Sequence, residues 1–461
     1  MDFDVKGKNV LIMGLGLHGG GVGTVKFFAR RGARITVTDL RSKEELLPSL
    51  KKISTLRNIT YILGKHRMED FYHADLIVKN PGVMPSSPYL AAARKKNIPI
   101  TTDLGIFFRS CPATIVGVTG TRGKSTTAFL ISRFLKESFE KNAHALKRHV
   151  FLGGNIRTSV LDFIDQVRPD DVIILELSSF QLDDLAHDSW HAYPLKRRSP
   201  HVAVLTNILR DHLNWHRTMA SYIAAKSGIM RFQQKNDVLF ANASDPIVQR
   251  MAKKSHGKVV FPSMPAGWES IVDKKIGRHY RTSAALAVAV GRHFDVSLPL
   301  MKSILKKFNG LAGRQETVAV MRGITFINDT TATVPDACIA AIERMRATAG
   351  HKKLILIAGG QDKKLIFSDM VRAIREHVDV LVLLPGTATE KILFLLLKKN
   401  KTTRPMILHE AASMNKAVDI AFECTKKGDY IVLSPGAASF GLFANEFDRG
   451  DAFVRAIARY R

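Results

Sequence analysis

At 461 residues the chain is longer than one ordinary core organises, so two or three domains are expected. With 46% hydrophobic and 24% charged residues it is a globular rather than a disordered sequence, and no apolar run approaches the ~18–20 residues of a membrane-spanning helix. The formal charge of +28 favours polyanionic partners, but the bases exceed the acids by 9, 13 and 6 over residues 1–112, 113–312 and 313–461, with no basic tail.

The basic clusters at 195–200 and 397–401 are short, and the aromatic-interleaved basic motif of an RNA-binding sheet is absent. A cationic surface suited to highly charged small substrates is therefore expected ahead of a nucleic-acid face, with no membrane insertion. Three cysteines, Cys111, Cys338 and Cys424, lie far apart and argue against a disulfide framework or a zinc site. The start MDFDVKGKNV has acids where a secretion signal has bases, so the expected compartment is the cytoplasm.

Along the chain, short β-rich runs ending in turn residues alternate with stretches of helical spacing. NVLIMGL, RITVTD, ADLIVKN and IPITTD fall in the first third, with a boundary near 107–114. TIVGVTG, DVIILELSS, HVAVLTNI and KNDVLFAN follow, ending at a glycine-punctuated hinge near 308–316. GITFINDT, KKLILIAGG, VDVLVLLPG and DYIVLSPG make up the last third. The fold class expected is α/β in three domains: a Rossmann-like unit over 1–112, a central mononucleotide-binding unit over 113–312 and a second Rossmann-like unit over 313–461.

The first unit opens with Gly14-x-Gly16-x-x-Gly19 after an apolar run, and Asp39 follows twenty residues after Gly19. This spacing fits a dinucleotide-binding fingerprint, in which glycines admit a diphosphate and an acid takes a ribose hydroxyl. Alone it leaves a nicotinamide dehydrogenase open, and charge plus a phosphate loop leave open a nucleic-acid-binding NTPase.

The strongest motif is TIVGVTGTRGKSTTAFLISRFL, residues 114–135. An apolar strand runs into Gly120, Thr121 and Gly123, then Lys124, Ser125 and Thr126, then an amphipathic helix. Backbone N–H groups and the helix start cradle phosphates, the lysine reaches the β and γ oxygens, and the serine hydroxyl suits Mg²⁺. Five residues separate Gly117 from Gly123, where the strict Walker spacing has four. A nucleoside-triphosphate site is expected here. Glu176 ends a strand that would lie beside this loop, where a metal bound to triphosphate needs an oxygen ligand.

At GVTGTRGKSTT the chain resembles the Mur ligases, ATP-dependent amide-forming enzymes of peptidoglycan precursor synthesis. The likeness continues in order through LGGNI, LELSSFQL, RDHLNWH, AAKSGIM, GLAGRQE, INDTTAT and LSPGAASFGLFANEFDRGD. The opening glycines, LELSSFQL and the closing motif favour the glutamate-adding branch. The resemblance implies ligation of D-glutamate to UDP-N-acetylmuramoyl-L-alanine through an acyl phosphate, by a monomer. Its runner-up is a sister ligase or a folylpolyglutamate-type ligase.

By the same resemblance, Lys124, Glu176, His212 and Lys226 are the catalytic residues. Ser125, Glu176, His212 and Lys226 surround two Mg²⁺ ions, with Lys226 carbamylated. Arg314 and Asp329 reach the ATP, and Leu17, His18, Asp39, Arg41 and Asn155 take the UDP acceptor. Thr333, Lys363 and Ser439 take the amino acid. The chain departs from the family pattern at Arg122, where asparagine is usual, at Tyr280 and Ser283 in GRHYRTS, and at Thr331, where many members have lysine.

Overall fold

The structure, a computed structural model, describes residues 3–17, 19–141, 148–155, 159–190, 199–275, 277–308, 310–363, 365–397 and 406–460, apart from the side chains of 214, 274 and 279. His18 therefore lies outside the described residues, as does most of each basic cluster. The chain divides into two compact units, one of residues 1–272 with 280–306 and one of 273–279 with 307–461. The first holds two sheets and so contains 1–112 together with most of 113–312; the second contains 313–461.

Among the described residues the first sheet has five strands: β1 (Asn9–Met13), β2 (Arg34–Asp39), β3 (Ile59–Leu63), β4 (Leu76–Lys79) and β5 (Ile100–Thr101), in the order β3-β2-β1-β4-β5. All pairings are parallel. The order reverses at β1, so a crevice opens between the C-terminal ends of β1 and β4, where such sheets bind ligands. Strand residues are apolar without alternation, Val10 to Met13 and Leu76 to Val78, because helices cover both faces.

The second sheet contains β6 (Thr114–Thr119), β7 (Val150–Gly154), β8 (Val172–Glu176), β9 (Val202–Leu205), β10 (Val238–Ala241) and β11 (Lys258–Val260), in the order β11-β10-β9-β6-β8-β7. It too is wholly parallel and reverses at β6, the strand that feeds the phosphate loop. One buried apolar cluster runs from Phe3, Phe27 and Phe28 through Phe107 and Leu161 to Leu177 and Leu205, joining the two sheets. At this seam Phe3 stacks on Trp190 with 5.0 Å between ring centres. Arg109, almost wholly buried, pairs with Asp188 and donates to the Trp190 carbonyl at 3.1 Å.

The second unit carries β12 (Glu316–Met321), β13 (Ile324–Asn328), β14 (Leu354–Gly359), β15 (Val380–Leu384), β16 (Ile407–Glu410) and β17 (Tyr430–Leu433), in the order β12-β13-β17-β14-β15-β16. Only the β12–β13 hairpin is antiparallel among them, and it contains a bulge between Thr317 and Ala319. Apolar clusters fill both faces. Cys111 and Cys338 are buried and Cys424 is half-buried, all as free thiols. No helix among the described residues is long and apolar enough to cross a membrane.

Arg109→Met should leave Asp188 buried without its charge partner and cost about 3–5 kcal/mol. Chemical denaturation of the full chain, followed by Trp fluorescence, measures the loss. An unchanged midpoint would refute this account of the seam.

Candidate active site

The phosphate loop is the turn between β6 and the helix Lys124–Lys141. Gly120 has φ +144°, and a Cβ there would lie 1.9 Å from Thr206 Oγ1, so no other residue fits this turn. The loop is laced to the strand end after β9. Thr121 N donates to Asn207 O at 2.8 Å and Arg122 N to Asn207 Oδ1 at 2.8 Å. Thr206 Oγ1 donates to Arg122 O at 2.6 Å. Thr121 Oγ1 meets Tyr222 OH at 3.0 Å and accepts from Leu209 N at 2.9 Å. Backbone donors of a loop pinned this way, at a helix start, make an anion cradle that needs little reorganisation.

Glu176 ends β8 in register with Val118 of β6 and is 2% exposed. Ser125 Oγ donates to its Oε2 at 2.5 Å and Asn155 Nδ2 to its Oε1 at 3.1 Å. Asn155, expected on the acceptor, thus sits on this carboxylate. Lys124 Nζ folds back to Thr121 O at 3.0 Å, while Thr126 is buried in the helix's first turn.

Lys226, on the helix Met219–Ser227, is 2% exposed and reaches under the same loop. Its Nζ donates to Gly120 O at 2.8 Å and to Thr119 Oγ1 at 3.5 Å. Burial, helped by the neighbouring Lys124 charge, holds its amine well below the usual lysine range, against the opposing pull of Asp211 and Glu176. His212 stands next to Asp211, with Nε2 3.6 Å from its carboxylate, in the left-handed backbone region at φ +53°. Its ring meets Phe180 edge-on at 4.8 Å, and Phe180 also stacks on His216, whose Nε2 is 2.9 Å from Ser179 Oγ. Ser125, Glu176, Lys124 and Lys226 therefore surround one turn, with Asp211 bearing on Lys226.

In the first sheet, Gly14, Gly16 and Gly19 all have positive φ and form a tight loop after β1. Asp39 is buried, and both carboxylate oxygens accept from this region: Oδ2 from Gly16 N at 3.1 Å, Oδ1 from Arg41 N at 3.0 Å. The acid braces the loop. Leu17 is half-buried and Arg41 exposed.

In the second unit, Asp329 follows β13 and is fully enclosed. Its Oδ1 accepts from Gln315 N at 3.1 Å and its Oδ2 from Ser434 Oγ at 2.7 Å. Burial raises its carboxyl to about 7, against the lowering pull of these bonds and of Arg314 and Arg344. Thr333, Lys363 and Ser439 lie on three loops at the C-terminal ends of the strands. A Gln361–Ala438 bridge joins the last two loops, and Gly436 N donates to Ala332 O at 2.8 Å. Ser439 is buried; Thr333 and Lys363 are half-buried.

Sequence reasoning had passed over Thr206, Asn207 and Tyr222, which fix the loop. The one available signal was the strand end of HVAVLTNI, a polar pair placed beside a phosphate turn by the parallel topology.

A phosphate loop on a switch-point strand, a buried carboxylate against its serine and a buried lysine beneath it define an ATP-using enzyme with two further α/β domains. Family profiles extend this: residues 118–303 match the Mur ligase middle domain, 8–102 the Mur ligase MurD-like N-terminal domain, and 313–436 the Mur ligase glutamate ligase domain. The UDP-N-acetylmuramoylalanine–D-glutamate ligase of Roseiflexus sp. is 36% identical, over 98% of this chain and 99% of the relative. That of Borreliella burgdorferi strain B31 is 34% identical, with 98% of both covered. The fold is shared with UDP-N-acetylmuramate–alanine ligase MurC of Thermotoga maritima, with a TM-score of 0.60 and 17% identity over 98% of this chain and 100% of that one. The MurF ligase of Thermotoga maritima has a TM-score of 0.56 and 15% identity over 99% and 96%. The chain belongs to the Mur ligase family.

Two outcomes follow. Gly120→Ala should weaken ATP binding by about tenfold or more, since the added methyl forces the cradle open; calorimetry that finds unchanged affinity would refute the close approach. For Asp329, the folded carboxyl sits at about 7 against the ordinary 3.8. The folded chain holds a proton that the unfolded chain releases. Its contribution is thus fully present below pH 4 and lost as the pH rises through about 7. Urea titrations should show wild type losing stability relative to Asp329→Asn over that window; a constant difference would contradict it.

Proposed function

We propose that the chain ligates D-glutamate to UDP-N-acetylmuramoyl-L-alanine with ATP, releasing ADP and phosphate, in the cytoplasm and as a monomer. The observation that carries the reading is the phosphate loop with Glu176 and Lys226 buried around it, in a chain whose whole length matches relatives named for that ligation. The acceptor carboxylate attacks the γ-phosphorus, ADP leaves and an acyl phosphate forms. The glutamate amine then adds to the acyl carbon, and phosphate departs from the tetrahedral intermediate. Little covalent work falls to the protein; positioning and charge neutralisation by the loop N–H groups and Lys124 dominate.

One Mg²⁺ position fits the residues present, and a second follows where Lys226 carries a carbamate. The buried Glu176 carboxylate and the Ser125 hydroxyl are hard oxygen donors meeting at 2.5 Å beside a phosphate cradle. Among the described residues no group of three or more His, Cys, Asp or Glu side chains has metal-site spacing. Substrate phosphate oxygens would therefore complete the coordination. Bound there, the metal would supply positive charge to the phosphates. Lys226, whose amine burial holds well below the usual lysine range, is suited to take up CO₂: the neutral amine forms an N–C bond, a proton leaves and an anionic carbamate oxygen results. His212 completes that side.

The opening glycine loop, with Leu17, His18, Asp39 and Arg41, holds the uridine diphosphate, and Asn155 bridges from the Glu176 carboxylate toward the acceptor. Arg314 and Asp329 meet the nucleotide; Thr333, Lys363 and Ser439 hold glutamate, whose carboxylates call for the Lys363 cation. The dehydrogenase reading rests on the opening fingerprint alone, whereas the second phosphate loop lies in a stretch that matches the Mur ligase middle domain.

Phosphate release should require UDP-N-acetylmuramoyl-L-alanine and D-glutamate together. Release with UDP-N-acetylmuramate plus alanine would instead place the chain among the sister ligases. Lys226→Ala should lower kcat by about 100-fold or more, as for a lost charge-stabilising group, and wild-type activity should rise with added bicarbonate. A plain lysine by mass, with bicarbonate-independent activity, would remove the carbamate.

A further inference from the structure

Lys79 ends β4, opposite Met13 in the crevice of the first sheet, and is 5% exposed. Its Nζ donates to Asp184 Oδ2 at 2.6 Å, and Asp184 is equally buried. Asp184 belongs to the central segment, on the helix Ser179–Ala186, which starts three residues after Glu176. The same ammonium donates to Val83 O at 3.3 Å. A second acid, the half-buried Asp103, also feels the Lys79 charge.

Val83 closes a turn that begins at Asn80. Asn80 N donates to Met13 O at 2.8 Å, Val83 N to Asn80 O at 2.9 Å, and Gly82 N to Asn80 Oδ1 at 3.0 Å. The Asn80 side chain stands against the glycine loop: a Cβ on Gly14 would lie 2.9 Å from Asn80 Cβ, and one on Gly16 would lie 3.5 Å from its amide nitrogen. One ammonium thus ties three things together: the helix that follows Glu176, the 80–83 turn and, through that turn, the glycine loop. A buried ion pair adds little net stability over an apolar pair, so what it distinctively supplies is a fixed geometry.

We propose that Lys79 is a positioning residue for the UDP-bearing acceptor, setting the 80–83 turn against the glycine loop from an anchor in the ATP-binding segment. This rests on the reading that the glycine loop holds the uridine diphosphate. Lys79 touches no reacting atom; it acts through Asn80 and Val83.

The test uses the full chain with Lys79→Met and with Lys79→Met/Asp184→Leu, which removes both buried charges. Michaelis constants for acceptor and ATP, kcat and the thermal midpoint are measured, and uridine diphosphate alone is titrated calorimetrically. In Lys79→Met the acceptor KM and the uridine diphosphate Kd should rise by about tenfold, the size of one lost charged hydrogen bond, with the ATP KM changing far less. The double variant should regain thermal stability while its acceptor KM stays raised. Lys79→Met with unchanged acceptor KM, equal rises for both substrates, or an acceptor KM that recovers with the midpoint in the double variant would each overturn the proposal. A wild-type chain that releases phosphate without the UDP acceptor sinks the functional reading itself; one that needs the acceptor, with Lys79→Met indifferent, sinks only the role of Lys79.

Discussion

The arrangement around the turn Gly120–Gly123 depends on two charged side-chain types that proteins rarely enclose. Glu176 and Lys226 are each 2% exposed, on either side of one loop. An enclosed carboxylate and an enclosed amine are costly unless something compensates them. Here the carboxylate takes a hydroxyl and an amide, and the amine gives its hydrogens to a loop carbonyl and a threonine. Parallel strands bring them together: β6 and β8 pair directly, so the ends of both strands open at one side of the sheet. Strand order at the switch point thereby becomes the chemistry of the cradle.

Two acids at strand ends show how far local context decides a role. Asp39 and Asp329 both close a β-rich run just before a loop, and both are buried. Asp39 takes backbone donors on both oxygens and acts as a brace. Asp329 also takes two donors, but in an enclosure deep enough to bring its carboxyl to about 7. Spacing gave Asp39 a ribose contact and the family resemblance gave Asp329 a place at the ATP, so both were expected to face a nucleotide. The difference lies in the donors that close around each acid, two backbone amides for Asp39 and an amide with the Ser434 hydroxyl for Asp329, which one sequence does not encode locally.

Much of the fold was legible because interior strands of parallel sheets are unbroken apolar runs. Every strand read from sequence is interior except β5. The strands passed over, β3, β7, β11, β12 and β16, are the other edges of the three sheets. They are half-buried or exposed at all but one position, their pattern is mixed, and periodicity fades where one side meets water. The phosphate loop, Glu176 and Lys226 were legible because contiguous motifs carry them. Asn207, Tyr222 and the Lys79–Asp184 pair were not, since each works across 80 or more residues of sequence, a separation no local pattern spans.

The thiols have a practical consequence. Cys338 is enclosed, gives its hydrogen to Ser434 O and is pushed far above the ordinary thiol range by burial, and Cys111 is shut inside the first unit. Neither thiol is open to a reagent in the folded chain. Cys424, half-buried at the end of the helix Met414–Glu423, is thereby the natural attachment point for a maleimide dye or spin label. The sequence thus offers a spectroscopic reporter position on the second unit without a cysteine-free background having to be engineered.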